Sequence, residues 1–133
     1  MSVLLDTHVW LWWLTGAPAL PEADRSVLDR LGASRLPCIS AISLWEAQML
    51  VAKRRIVPAE SFDRWIRRVS APDVVQTLPL DADVVSALHN LPATFHGDPA
   101  DRLIVATARA HGLPLATRDA AIRQARIARL WKP

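Results

Sequence analysis

Short apolar runs punctuate this chain at a spacing that leaves few folds open. "SVLL" (2–5), "LPCIS" (36–40), "VVQTLPL" (74–80) and "LPLAT" (113–117) each read as a strand of a few residues, and a last strand is expected near "IARLW" (127–131). Between them lie segments of helical periodicity: "HVWLWWLTG", closed by Gly16; "EADRSVLDRLG", ending at Gly32; "SLWEAQMLVAKRR" (43–55); "AESFDRWIRRVS" (59–70); "DADVVSALHNL" (81–91); a helix over 99–111 ended by Gly112; and a short helix from Asp119. Strands that alternate with helices need crossover connections, which give a parallel sheet covered on both faces. The runs are apolar without alternation, as strands buried on both sides are. The expectation is an α/β fold with a short, mainly parallel central sheet. At 133 residues the chain suits a single domain, 1–133.

Composition removes several classes of protein. Apolar residues make up 51 %, enough for a substantial core and against intrinsic disorder. No apolar stretch reaches the ~18–20 residues of a membrane span. The apolar N-terminus is interrupted by Asp6 and His8 and has no basic leader, so it reads as strand then helix, and a cytoplasmic protein is expected. A lone Cys38 excludes an intramolecular disulfide and a cysteine-based zinc site. The formal charge is +3 and 14 of the 16 basic residues are Arg, which suits phosphate recognition but follows equally from GC-rich codons.

In parallel sheets, functional groups gather beyond the carboxyl ends of the strands. Four acids meet that criterion. Asp6 follows the first strand, and Glu46 lies at the start of the helix after "PCIS". Asp101 lies in the first turn of its helix, and Asp119 comes two residues after "LPLAT". Each also has a purely structural explanation. Ser43 and Glu46 have the spacing of a capping box, and Asp119 can cap its helix with help from Thr117. Asp98 followed by Pro99 is a helix start signal, with Asp101 favoured by the helix dipole. Asp6 is hardest to dismiss, because an unpaired carboxylate beside a buried run is costly.

As a group, the four need a counter-charge. Two carboxylates ~4 Å apart repel by roughly 4 kcal/mol at an effective dielectric of 20. Hard oxygen donors without a cysteine or convincing histidine set select Mg²⁺ or Mn²⁺. Such ions polarise a phosphodiester and activate a water for in-line attack.

The segments "LLDTHVWLW" (4–12), "SAISLWE" (40–46) and "DPADRLIVATARAHGLPLATRD" (98–119) resemble PIN-domain ribonucleases, especially VapC-type toxins of bacterial toxin–antitoxin modules. The resemblance covers almost the whole chain and rests on the order and spacing of the motifs. It implies a three-layer α/β/α sandwich, Mg²⁺- or Mn²⁺-dependent endonucleolytic cleavage of RNA, frequent homodimers and a small VapB-type antitoxin that blocks the site and binds DNA. The family's acids map to Asp6, Glu46, Asp101 and Asp119, with Asp98 chiefly a cap. Two positions depart from the commonest patterns: His8 within "DTH", and Ala100 where a related subgroup often carries Phe in "DPFD".

Around the acids, Thr7, Ser43 and Thr117 are candidates to orient a carboxylate or a water, Arg118 to meet the scissile phosphate, and His96 to touch substrate. His111 reads as a cation at a helix C-terminus. Lys53, Arg54 and Arg55 with Arg64, Arg67 and Arg68 form a basic surface, either a solvated face or a track for RNA or antitoxin. Trp45 and Trp65, in helical stripes, are expected in core or dimer packing rather than base stacking. The competing reading is a non-catalytic RNA- or protein-binding module with a vestigial acidic pocket. A haloacid-dehalogenase-type phosphatase is disfavoured because "DTH" lacks the second Asp of D-x-D.

Overall fold

The computed structural model describes residues 2–95 and 97–133. In chain order the elements are β1 (Leu4–Leu5), α1 (Thr7–Thr15), α2 (Glu22–Asp29), a 3-10 turn (Ala33–Arg35), β2 (Cys38–Ser40), α3 (Ala41–Ala52), α4 (Phe62–Val69), β3 (Gln76–Leu78), α5 (Ala82–His89), α6 (Pro99–His111), β4 (Leu115–Ala116) and α7 (Ala120–Ala125). The strands form one sheet in the order β3-β2-β1-β4, and every pairing is parallel.

Side-chain alternation along these very short strands builds both faces of the sheet. Leu5 and Ile39 point into a core shared with Val9, Trp10, Ala47, Trp65 and Val69, on the side of α1, α3 and α4. Leu4, Cys38, Leu78 and Leu115 point the other way, into a core with Val84, Ile104, Val105 and Ile122 of α5, α6 and α7. The register agrees, since Leu4 pairs with Cys38 and Leu115 while Leu5 pairs with Ile39 and Ala116. The expected helices-on-both-faces arrangement is therefore present.

Local signals set most helix ends. Gly16 and Gly112 close α1 and α6 in the left-handed conformation, at φ 70° and 63°. Asp98 caps α6 by accepting from Asp101 N at 2.7 Å, with Pro99 at the first helical position. Two expectations need correction. Helix α3 starts at Ala41 rather than Ser43, because Ser40 is its cap and accepts from Ile42 N at 3.2 Å. The last strand shrinks to one bridge, Leu115 to Leu130. Arg126, left-handed at φ 54°, turns the chain after α7, and only Arg129 and Trp131 exchange backbone hydrogen bonds with Leu115.

From β1 the chain order runs one way to β2 and β3, and β4 is added on β1's other edge. The reversal lies between β1 and β4, where open α/β sheets form their crevice. Asp6 leaves the end of β1 there, and Thr117 and Asp119 leave the end of β4.

Candidate active site

The site begins with a buried carboxylate that the backbone cannot avoid placing there. Asp6 is 5 % exposed. Its amide still belongs to the sheet ladder, donating to Ala116 O at 2.9 Å, while its side chain caps α1. Oδ1 accepts from Thr7 N, and Oδ2 accepts from Thr117 Oγ1, both at 2.7 Å. Burial pushes the Asp6 carboxyl above its ordinary range; the Thr117 hydrogen bond and the neighbouring His8 oppose this, and Asp119 adds to it.

Two threonines tie the other acids to this centre. Thr7 Oγ1 donates to Glu46 Oε1 at 2.5 Å and lies 2.7 Å from Ser43 Oγ. A hydroxyl has one proton. With Thr7's spent on Glu46, Ser43 is the donor to Thr7, giving a relay Ser43–Thr7–Glu46. The predicted Ser43–Glu46 capping box is thus absent: Ser43 lies inside α3, and both side chains turn toward α1. On the opposite side, Thr117 Oγ1 donates to Asp6 and accepts from Asp119 N at 3.0 Å. Asp119 then caps α7, accepting from Ile122 N at 2.9 Å, with Thr117 assisting as the sequence suggested.

Asp101, one turn into α6, accepts no hydrogen bond on its carboxylate among the described residues. Burial first, then the charges of Asp98, Asp6, Asp119 and Glu46, raise its pKa to about 7. Glu46 is raised too, mainly by burial and further by Asp6 and Asp98, against the Thr7 hydrogen bond. The neighbours that Asp101 feels are therefore the same acids the sequence placed at the strand ends. Asp98 joins them at the margin, exposed and with its side chain committed to capping.

Among the described residues, no Lys or Arg forms an ion pair with any of these five acids; the ion pairs join Arg25 to Glu22, Arg68 to Glu60 and Arg118 to Asp24. Arg118 is thus held at 3.4 Å by Asp24 of α2 rather than left free beside Asp119. His8 is exposed and stacks obliquely on Trp12, 5.8 Å between ring centres. His96 lies outside the described residues.

The donor chemistry suits a hard divalent cation, because every group is a carboxylate or hydroxyl oxygen and the carboxylates repel one another. Among the described residues, no three His, Cys, Asp or Glu side chains stand close enough to close on one ion as they are. Carboxylate and hydroxyl oxygens are the donors that Mg²⁺ and Mn²⁺ take, unlike the Cys and His sets of structural zinc.

Trp45, expected in packing, is 53 % exposed. It lines a groove of about 310 Å³ together with His8, Glu46, Met49, Lys53, Arg55 and the Asp98–Pro99 corner. Helical periodicity signalled a stripe on α3, but a stripe does not show whether anything covers it. By contrast Trp65 is buried as expected.

The chain is similar to known proteins over nearly its whole length. Ribonuclease VapC22 of Mycobacterium tuberculosis is 36 % identical over 125 residues, which is 94 % of this chain and 92 % of that protein. The crystal structure of VapBC2 from Rickettsia felis, bound to a DNA fragment from its promoter, superposes with a TM-score of 0.71 at 17 % identity, over 98 % of both chains. FitAcB from Neisseria gonorrhoeae superposes with a TM-score of 0.67 at 24 % identity, over 98 % of this chain and 97 % of that one. The PIN-domain profile matches residues 3–129, from the strand that presents Asp6 to the backbone that pairs with β4, and the chain belongs to the PIN-domain family.

Proposed function

We propose that this protein is a metal-dependent endoribonuclease, the toxin of a type II toxin–antitoxin pair, acting in the cytoplasm. The observation that carries the reading is Asp101, a half-buried carboxylate in the combined field of Asp98, Asp6, Asp119 and Glu46 with no Lys or Arg paired to it among the described residues. A fold does not keep such an arrangement for stability, since each buried like charge costs free energy. Identity of 36 % with a ribonuclease over nearly the whole chain supports RNA as the substrate.

In this reading Asp6, Glu46, Asp101 and Asp119 hold one or two Mg²⁺ or Mn²⁺ ions. The bound ion would supply Lewis acidity, polarising a phosphoryl oxygen and lowering the pKa of a water. The chain's own residues provide the geometry. Thr117 fixes Asp6 and the start of α7 together, so Asp6 and Asp119 keep a set separation. Ser43 and Thr7 fix the Glu46 carboxylate against the head of α1. Asp98 holds the first turn of α6 and thereby places Asp101. Burial of Asp6 excludes water from one side of the site, which strengthens electrostatic effects there. The partners that go with this reading are a VapB-type antitoxin and a second copy of the chain in a homodimer.

Asp6→Asn tests the proposal. The variant keeps the cap through its amide oxygen, reverses the Thr117 hydrogen bond so that its NH₂ donates to Thr117 Oγ1, and loses the charge. RNA cleavage in Mg²⁺ should fall at least ~100-fold, the scale seen when one charge-stabilising group is removed. Unchanged cleavage by a folded variant would refute the site assignment. Binding of RNA by the parent protein with no EDTA-sensitive cleavage would favour the non-catalytic module instead.

A further inference from the structure

We propose that the groove beside the acids is a nucleobase subsite, where an unpaired base of the RNA stacks on Trp45 while Lys53 and Arg55 meet the adjoining phosphate. The inference rests on the ribonuclease reading and adds to it where, and by which part, the substrate is held.

Two observations point to this occupant, the exposure of one ring and the charge grading of the groove around it. Trp45 is 53 % exposed on a helix whose neighbouring positions Ser43 and Ala47 are fully buried. A large apolar ring left in water beside a polar site is informative, whereas scattered exposed aliphatics are not.

The groove itself is graded in charge. Glu46 and Asp98 line it toward the acidic cluster, Met49 and Pro99 give it apolar walls, and Lys53 and Arg55 line it beyond the end of α3. Trp45, Met49 and Lys53 follow at four-residue spacing, ~6 Å per step along a helix. Neither Lys53 nor Arg55 has an acidic partner among the described residues.

A nucleotide matches this series of a π-face, an apolar wall and an unpaired cation. Stacking on an aromatic ring accepts any base, and the cations take the phosphate. At about 310 Å³ the groove lies at the lower end of volumes that hold small-molecule-sized groups, which fits one nucleotide. Because Glu46 is shared by groove and acidic cluster, a base on Trp45 fixes which phosphodiester reaches the acids.

The test measures binding of a fluorescein-labelled oligouridylate, and of a matching abasic oligomer, to protein carrying Asp101→Asn so that the probe is not cut. RNA cleavage by the parent chain is scored in parallel. Adding Trp45→Ala should weaken oligouridylate binding ~10-fold, with Trp45→Phe recovering most of the loss and abasic binding unchanged by either. Lys53→Ala with Arg55→Ala should weaken both oligomers and flatten the salt dependence. Trp45→Ala binding oligouridylate as tightly as its parent, in a protein whose parent cuts RNA, overturns the subsite and leaves the ribonuclease reading standing. A parent that neither cuts nor binds RNA overturns both. If Trp45→Ala instead changes the oligomeric state in sedimentation and leaves RNA binding intact, the groove belongs to a second copy and the proposal fails.

Discussion

Leu5 and Asp6 are chain neighbours in opposite physical regimes. Leu5 lies in a dry core around Trp10, whose ring is fully buried and whose one polar atom donates to Val69 O at 2.9 Å. Asp6 is almost as buried, but it shares its site with Asp101, Glu46 and Asp119, none of them ion-paired to Lys or Arg among the described residues, and its carboxyl is pushed up by that burial. The first region is complete as it stands. The second is held in place by hydrogen bonds that orient the carboxylates without neutralising them. The difference teaches where the chain spends stability: the core supplies it, and the strand ends consume it.

Cutting the core should therefore cost more than anything done at the edge. Trp10→Ala removes a fully buried ring and leaves the Val69 carbonyl without its donor, and urea unfolding should show a loss of ~3–5 kcal/mol. A loss no larger than that of an exposed substitution would erase the contrast. Asp98→Ala sharpens it from the other side, because Asp98 is an acid of the same edge that the fold uses. Its carboxylate caps α6, so the variant should lose about 1 kcal/mol, partly offset by relief of the charge it places on Asp101. A clear gain in stability would mean that the cap is immaterial and that Asp98 belongs with the other acids.

The parts of this comparison that local chemistry decides were legible in the sequence. Apolar runs gave the four strands, Gly16 and Gly112 gave the ends of α1 and α6, and Asp98-Pro99 announced its own cap. The four strand-end acids followed from topology and from the PIN resemblance together. What escaped depends on contacts between segments far apart in sequence. Ser40 and Ser43 have similar local credentials as caps, and the choice fell to Ser40 because β2 runs directly into α3 while Thr7 takes Ser43. Arg118 is paired with Asp24, 94 positions away. Trp45 occupies a regular helical stripe, yet more than half of its surface is open among the described residues.

Melting of the metal-free protein, with and without Asp101→Asn, tests the central claim most directly. Asp101 has a folded pKa of about 7, against an unfolded value near ~3.9. Between those values the folded chain binds the extra proton, so its stability declines as pH rises through that window and the full penalty is present above it. Asn carries no such charge. In EDTA, Asp101→Asn should melt above the parent at about pH 8, and the gap should close as the pH is lowered to about 4. Millimolar Mg²⁺ or Mn²⁺ at the higher pH should raise the melting temperature of the parent and do less for the variant, as expected when a ligand binds only the folded state. A parent as stable as Asp101→Asn at the higher pH without metal, or one indifferent to both cations, would contradict the account.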